Sequence, residues 1–262
     1  MERTMGETVE RITVGRAEAA RDVAVIRRAG AAPGLFWLGG FRSDMAGTKA
    51  LALDAFGATR GRAVTRFDYS GHGVSGGRFE DGTVSRWAEE AKAVFDATEG
   101  PQILIGSSMG GWMALLLARA HLAEAGRAAS RLKALVLIAP APDFTEELMW
   151  AGFSDEIRRQ IVETGVYREP SEYSDEPHLI TRALIEDGRR NLVLGGEIEL
   201  GCPVTILQGV MDTSVPWRHA IRLTTLLTRD DVTLTLVPDG DHRLSRPQDI
   251  EKLTKVLDGL VG

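Results

Sequence analysis

A serine flanked at fixed spacing by two glycines is the first group in this sequence that could perform covalent chemistry. The string Gly-Ser-Ser-Met-Gly occupies residues 106–110 and has Ser108 at its centre. A serine hydroxyl on a tight turn between a strand and a helix can attack a carbonyl carbon, provided that small residues let strand and helix approach closely. Gly106 and Gly110 meet that need. We therefore predict that Ser108 is a nucleophile and that Ser107 is structural.

A nucleophilic serine needs a base, and five histidines compete for that role. In hydrolases with this turn, the chain order is serine, then aspartate or glutamate, then histidine. His242 lies in a polar loop between the last apolar run and the last helical stretch, which is where the base is expected. The others lie near the serine with no acid between, in a central insertion, or on a helix where we expect a surface position: His72, His121, His178 and His219.

The aspartates divide into one candidate for the orienting acid and several with structural roles. Asp212 follows an apolar run and stands 30 residues before His242. That spacing accommodates one helix and one strand, which returns both loops to the same edge of a parallel sheet. Asp68 and His72 follow another strand, and we expect them to stabilise a turn there. Three aspartates are less favoured as the acid, two beside the histidine and one in a connector: Asp239, Asp241 and Asp231.

Acyl transfer also requires backbone N–H groups that stabilise the negative oxygen of the intermediate. One donor follows the nucleophile, which points to the amide of Met109 at the start of a helix. The second comes from the loop after the third strand, where Gly39 and Gly40 let the backbone turn inward. We predict that the amides of Phe41 and Met109 form the oxyanion hole.

Apolar runs that alternate with amphipathic stretches would position these residues. The strand-like runs are 9–14, 23–28, 35–38, 63–67, 102–105, 134–138, 204–207 and 232–237, and the helical stretches are 48–58, 84–97, 109–123, 217–227 and 247–260. The first two runs are typical of an antiparallel start to the sheet. The alternation predicts the α/β class with a mostly parallel eight-stranded sheet flanked by helices. Together with the serine turn at residues 106–110, it predicts an α/β-hydrolase fold. A strand before Ser108 and a helix after it favour a nucleophile over a chance Gly/Ser-rich turn.

Residues 143–191 interrupt the alternation with helical pieces, aromatic side chains and no convincing sheet strand. An excursion of this kind predicts a cap insertion within a single domain that spans residues 1–262. We expect most of its apolar residues to form a small core and a minority to face the cleft, because insertions at the carboxyl ends of parallel strands bind ligands. These residues are Phe144, Leu148, Met149, Trp150, Phe153, Ile157, Ile161, Val166, Tyr167 and Tyr173.

The composition excludes several classes of partner. A formal net charge of −6 and the lack of a basic stripe argue against nucleic acid. The one cysteine, Cys202, excludes an internal disulfide and has no motif for a catalytic thiol. No run is apolar and long enough to span a bilayer. We expect a small-molecule or acylated substrate and neither metal nor organic cofactor, and the sequence is compatible with a monomer.

Several stretches together resemble the α/β-hydrolase domain-containing protein 10 family, which comprises mitochondrial palmitoyl-protein thioesterases also described as acyl-glucuronide esterases. These stretches are 45–50, 66–71, 100–112, 215–217 and 240–243, with looser similarity at 165–167 and 170–174. The resemblance implies that Ser108, Asp212 and His242 are the catalytic residues. Because the N-terminal residues lack a signal-peptide or transit pattern, we expect a cytoplasmic location instead of a mitochondrial one.

These features predict a serine hydrolase that cleaves carboxylic esters or acyl thioesters through an acyl-enzyme on Ser108. Two alternatives stay open at this point. The same three residues could run another hydrolysis, such as that of a peptide or a C–C bond. A non-catalytic ligand-binding protein that kept the fold is the other alternative, and the complete serine, aspartate and histidine set argues against it.

Overall fold

An eight-stranded sheet forms the centre of the computed structural model, which describes residues 8–169 and 178–262. The spatial order of its strands is β1-β2-β4-β3-β5-β6-β9-β10, with β2 antiparallel to both neighbours and all other pairs parallel. The predicted fold class and the antiparallel start are confirmed. The sheet strands are β1 Val9–Val14, β2 Arg21–Arg28, β3 Ala31–Leu38, β4 Arg62–Phe67, β5 Gln102–Ser107, β6 Leu132–Ile138, β9 Val204–Gly209 and β10 Val232–Val237.

Helices cover both faces of this sheet, which is why its central strands are almost wholly apolar. In β5, Leu104 packs into one core, whereas Ile103 and Ile105 pack into the core on the opposite face. Trp87 of α2 and Trp112 of α3 belong to the first core. The helices outside the insertion are α1 Thr48–Arg60, α2 Val84–Asp96, α3 Met109–Ala129, α6 Trp217–Leu226 and α7 Pro247–Val261.

The described residues of the segment between β6 and β9 add no strand to the main sheet, as predicted, but they form a separate two-stranded sheet that the sequence analysis missed. Its two strands pair with each other, with Val166 opposite Thr181, and not with the main sheet. Four residues each are too few to show an alternating pattern. Its elements are a π-helical turn Thr145–Trp150, α4 Asp155–Thr164, β7 Val166–Glu169, β8 His178–Thr181 and α5 Arg182–Arg190. The resemblance at 170–174, and Tyr173 with it, lies outside the described residues.

The insertion has a small apolar core of its own. Ile161, Ile180 and Ile185 are buried together, and several partly buried side chains pack against them. Three of these are aromatic: Trp150, Phe153 and Tyr167. Across residues 8–169 and 178–262, no helix combines the length and the hydrophobicity needed to cross a bilayer.

Candidate active site

Ser108 lies on a strained turn between the end of β5 at Ser107 and the start of α3 at Met109. Its backbone has φ 55° and ψ −118°, a conformation that costs about 1–3 kcal/mol for a residue other than glycine. The turn is closely packed: a Cβ at Gly106 would lie 2.4 Å from the carbonyl oxygen of Gly110, and one at Gly110 would lie 2.0 Å from that of Leu38. The two glycines are therefore sterically required.

The imidazole of His242 stands between Ser108 and Asp212. The Ser108 Oγ hydroxyl donates to His242 Nε2 at 3.1 Å, and His242 Nδ1–H donates to Asp212 Oδ2 at 2.8 Å. His242 belongs to the loop between β10 and α7, which contacts the end of β9 so tightly that a Cβ at Gly209 would lie 2.4 Å from the carbonyl oxygen of Gly240. The structure thus brings together the three residues that the chain order selected.

Asp212 is held as an acceptor on both carboxylate oxygens. Its side chain is fully buried, and Oδ1 accepts the amides of Ser214 at 2.9 Å and Val215 at 2.8 Å. Buried carboxylates without donors are unstable as anions, and these amides supply the donors. The arrangement leaves Oδ2 directed at His242.

Gln208 is a member of the site that the sequence reasoning missed. It is a fully buried residue of β9, and its Nε2 donates to Asp212 Oδ2 and to the carbonyl oxygen of Val215, both at 3.1 Å. The sequence does contain a hint of this role: Gln208 is a polar residue at the otherwise apolar end of a buried strand, four residues before Asp212. Gln208 fixes the orientation of the carboxylate toward His242.

The predicted oxyanion donors lie at the same edge of the sheet. Met109 is the first residue of α3, so its amide has no acceptor within the helix. The Phe41 amide donates to no described residue, and Arg42 after it has φ 59°, which marks a sharp turn. A Cβ at Gly40 would lie 3.4 Å from that of Ser108, so this turn directly borders the nucleophile.

Two cavities meet at Ser108 and His242, and Phe41 lines both. The first has a volume of about 530 Å³ and includes residues of the insertion. We call it the apolar cavity, and its apolar lining includes Phe144, Leu148, Met149, Phe153 and Val215. Its only acidic or basic lining residue among those described, apart from His242, is Glu169, which is 3.5 Å from Arg42.

The second cavity, which we call the polar cavity because of its charged side chains, has a volume of about 400 Å³ and is built from loops of the main domain. Three cations and one acid line it: Arg42, Lys49, Arg243 and Asp44. Burial lowers the pKa of Arg42, although Glu169 opposes that shift. Burial also lowers the pKa of Lys49, to about 8. The described lining is therefore positively charged although the whole chain is acidic.

The remaining candidate groups have structural roles. Asp68 accepts the amides of Met45 at 2.7 Å and Val74 at 2.9 Å, so its predicted role in a turn is confirmed. The surface position expected for His219 is wrong, because this side chain faces inward on α6 and its Nε2 is 2.7 Å from the carbonyl oxygen of Pro142. Burial raises the pKa of the Cys202 thiol to about 12, which keeps it protonated and unreactive.

His72 also faces inward. It packs against Phe79 and Trp87 with ring centroids 5.1 and 5.3 Å apart, and its Nδ1 is 3.2 Å from the carbonyl oxygen of Ser70. Burial lowers its pKa to about 4. Phe79 in turn contacts Phe41 at 5.0 Å, so this aromatic cluster supports the wall that the two cavities share.

Comparisons with known proteins agree with this architecture. The family described as "Serine aminopeptidase, S33" matches residues 44–187. Palmitoyl-protein thioesterase ABHD10 of Bos taurus is 35% identical over 242 residues, which are 92% of this chain and 76% of the relative. Among solved structures, a putative hydrolase from Agrobacterium vitis S4 has a TM-score of 0.92 at 50% identity, covering 98% of this chain and 99% of that one. Mouse ABHD10 has a TM-score of 0.82 at 32% identity, covering 96% and 98%.

The protein is a serine hydrolase of the α/β-hydrolase class. This follows from its fold, from the serine on the turn between a strand and a helix, and from its similarity to known hydrolases over most of the chain. The chain belongs to the family that includes the ABHD10 thioesterases. It is therefore an enzyme, and the sequence-based prediction of a serine hydrolase is confirmed. The names of the ABHD10 relatives agree with the predicted ester or thioester chemistry.

The expectation of a cytoplasmic protein is wrong, because the ABHD10 relatives are mitochondrial. That expectation depended on the charged N-terminal residues, of which 1–7 lie outside the described chain, and on the one cysteine. A reduced cysteine indicates a reducing compartment, and it does not distinguish one such compartment from another.

Proposed function

We propose that this enzyme hydrolyses acyl thioesters and carboxylic esters through an acyl-enzyme on Ser108, with His242 as the base and Asp212 as the orienting acid. The observation that carries the proposal is the continuous hydrogen-bonded chain from Ser108 Oγ through both ring nitrogens of His242 to Asp212. Nucleophile, base and orienter within hydrogen-bond reach are the signature of nucleophilic catalysis.

In the first half-reaction, Ser108 Oγ attacks the substrate carbonyl carbon while its proton moves to His242 Nε2. Asp212 keeps the other ring proton on Nδ1, so that Nε2 is free to accept, and it stabilises the imidazolium that forms. The oxygen of the tetrahedral intermediate lies against the amides of Phe41 and Met109 and near the positive end of α3. His242 then gives the proton on Nε2 to the leaving sulfur or oxygen as its bond to carbon breaks, so that a neutral thiol or alcohol departs.

In the second half-reaction, water replaces the leaving group. His242 removes a proton from that water, the resulting nucleophile attacks the acyl carbon, and a second tetrahedral intermediate forms at the same donors. Collapse of the intermediate returns the proton to Ser108 and releases the carboxylic acid.

The two cavities give the substrate an orientation. We infer that the acyl chain lies in the apolar cavity, where aromatic and aliphatic side chains can pack against its CH₂ groups, and that the leaving group lies in the polar cavity, where charged side chains can contact its polar groups. The segment 143–191 then acts as a cap insertion of a single domain, since its residues line the acyl side. The ABHD10 relatives are named palmitoyl-protein thioesterases, which supports a long acyl chain as the substrate of this enzyme.

The direct test of the proposal is covalent labelling with a fluorophosphonate probe, which phosphonylates activated serines. We expect labelling of the wild type and of Ser107→Ala, a matched neighbouring change, and no labelling of Ser108→Ala. A wild-type protein that stays unlabelled while folded would overturn the proposed function.

Peptide hydrolysis is the second candidate, because the matching family is described as a serine aminopeptidase family. An aminopeptidase must bind a free substrate ammonium, and the acid in the apolar cavity is Glu169. Its carboxylate lies 3.5 Å from Arg42, so the guanidinium would compete with a substrate ammonium for this carboxylate. Amino-acid p-nitroanilides, assayed beside acyl thioesters, separate the two candidates, and we expect turnover of the thioesters alone.

A further inference from the structure

Lys49 occupies a position that a lysine has no local reason to occupy. It is the second residue of α1, where the partial positive charge of the helix N-terminus disfavours a cation. It is also half-buried, and Asp241, Arg243 and Asp249 are the charged groups that face it. A cation kept at such a site needs a compensating contact.

The contacts of Lys49 are with the loop that carries His242. Its Nζ donates to the carbonyl oxygen of Arg243 and to Ser245 Oγ, the latter at 3.2 Å. These two partners flank Leu244, which is buried and has φ 43°. A residue other than glycine keeps such a conformation only where its surroundings impose it.

The other hydrogen bonds of this part of the loop are internal to it. The amide of Leu244 donates to Asp241 Oδ1 at 2.9 Å, and Ser245 Oγ donates to the carbonyl oxygen of Arg243 at 3.0 Å. Within residues 8–169 and 178–262, Lys49 is therefore the one donor outside the loop that reaches residues 243–245. It comes from α1, and both Lys49 and His242 line the polar cavity.

We propose that Lys49 is a positioning residue, whose two hydrogen bonds hold the strained turn at Leu244 and thereby align the imidazole of His242 with Ser108. The proposal rests on the proposed function, since it concerns the base of that reaction. It assigns Lys49 a role through His242 and no contact with the reacting atoms.

If Lys49 only stabilised the fold, its replacement would lower the free energy of unfolding, and activity would fall only with the amount of folded protein. Because burial lowers the pKa of Lys49 from 10.5 to about 8, the unfolded chain holds more protons than the folded one between those values, and folding gains stability as pH rises through them. At neutral pH, the buried charge of Lys49 therefore destabilises the folded state. Its replacement by methionine removes the buried charge, so the account predicts loss of activity without loss of stability.

The test compares Lys49→Met with wild type and with Lys255→Met, which removes an exposed lysine 2.6 Å from Glu251 on α7. For Lys49→Met we expect kcat for an acyl thioester to fall about 10- to 100-fold, with KM within about twofold, because misplacement of a catalytic group by about 1 Å has effects of this size. Fluorophosphonate labelling should slow by the same factor, and Tm should stay within about 2 °C of wild type. Lys255→Met should match wild type throughout.

The pH profile adds a readout that packing would not change. Above about pH 8 Lys49 becomes a neutral amine, whose hydrogen bonds are weaker than those of the ammonium, so the ratio of wild-type to Lys49→Met activity should be smaller at pH 9.5 than at pH 7. A ratio independent of pH, unchanged kcat in Lys49→Met, or activity lost only in proportion to folded protein would overturn the proposal. An unlabelled, inactive wild type would instead overturn the proposed function, and the role of Lys49 with it.

Discussion

The two cavities at Ser108 differ in origin and in charge. The apolar cavity draws much of its lining from the segment inserted between β6 and β9, whereas the polar cavity is built from loops at the edge of the main sheet. The first has Glu169 as a charged lining residue, and the second has three cations and Asp44.

In the proposed mechanism, this difference separates the two halves of a substrate. Acyl selectivity can change with the insertion, while the loops that carry Phe41 and His242 keep the chemistry and contact the leaving group. Variants of Ser108 and His242, which line both cavities, should therefore abolish all turnover, and variants of one cavity should change selectivity only on that side.

The largest effect is expected where the cavities meet. We predict that Ser108→Ala and His242→Ala each lower kcat by about 10⁴-fold or more and that the double variant is no worse than either, because the residues act as one unit. Steady-state kinetics on a long and a short acyl thioester measure this. Losses that add in the double variant, or that depend on acyl length, would contradict a shared centre.

The second largest effect is a pH dependence of stability, and it arises from His72 in the aromatic cluster behind the wall that both cavities share. Because burial holds the pKa of His72 near 4, against 6.5 in an unfolded chain, the unfolded state binds the proton first and stability falls as pH drops from about 6.5 to 4. The loss corresponds to about 3 kcal/mol. Urea unfolding across this range measures it, and His72→Phe should have the shallower pH dependence. An equal slope in both proteins would contradict the burial of a neutral imidazole.

A third change fills the apolar cavity alone. Leu148→Trp should lower kcat/KM for a palmitoyl thioester by about 10- to 100-fold and leave an acetyl thioester nearly unchanged, since each excluded methylene contributes to binding. Val162→Trp, on an exposed position of α4, is the matched control and should have no effect. Equal losses on both substrates would place the acyl chain elsewhere.

The smallest effect is expected at the rim of the polar cavity. Arg243 is exposed and has no ion pair within the described chain, so Arg243→Met should lower kcat/KM about two- to fivefold for leaving groups that carry a carboxylate. Neutral leaving groups should be unaffected, and the difference should vanish at 1 M salt. If the loss of kcat/KM depended on acyl length instead, the acyl chain would have to lie in the polar cavity and the leaving group in the apolar cavity.

The sequence predicted those features of the site that depend on chain order. Parallel strands end at one edge of a sheet, so a serine after β5, an aspartate after β9 and a histidine after β10 had to meet there. His242 does lie within hydrogen-bond distance of both Ser108 and Asp212, and the catalytic roles of the three residues stay predictions until measured.

Contacts between distant parts of the chain had no comparable signal. Lys49 and Arg243 are 194 residues apart, and no spacing rule pairs them. The helical pattern around His219 predicted a helix correctly but assigned this side chain to the wrong face. The pairing of β7 with β8 was missed, because strands of four residues carry too little pattern.

The most direct test of the central claim is to detect the acyl-enzyme. An activated p-nitrophenyl ester, quenched in acid within the first turnover, should leave its acyl group on the peptide that contains Ser108, as peptide mass spectrometry would show. Ser108→Ala should carry no acyl group and release no product above background. Undiminished turnover in Ser108→Ala, or an acyl group on another residue of the wild type, would contradict the account.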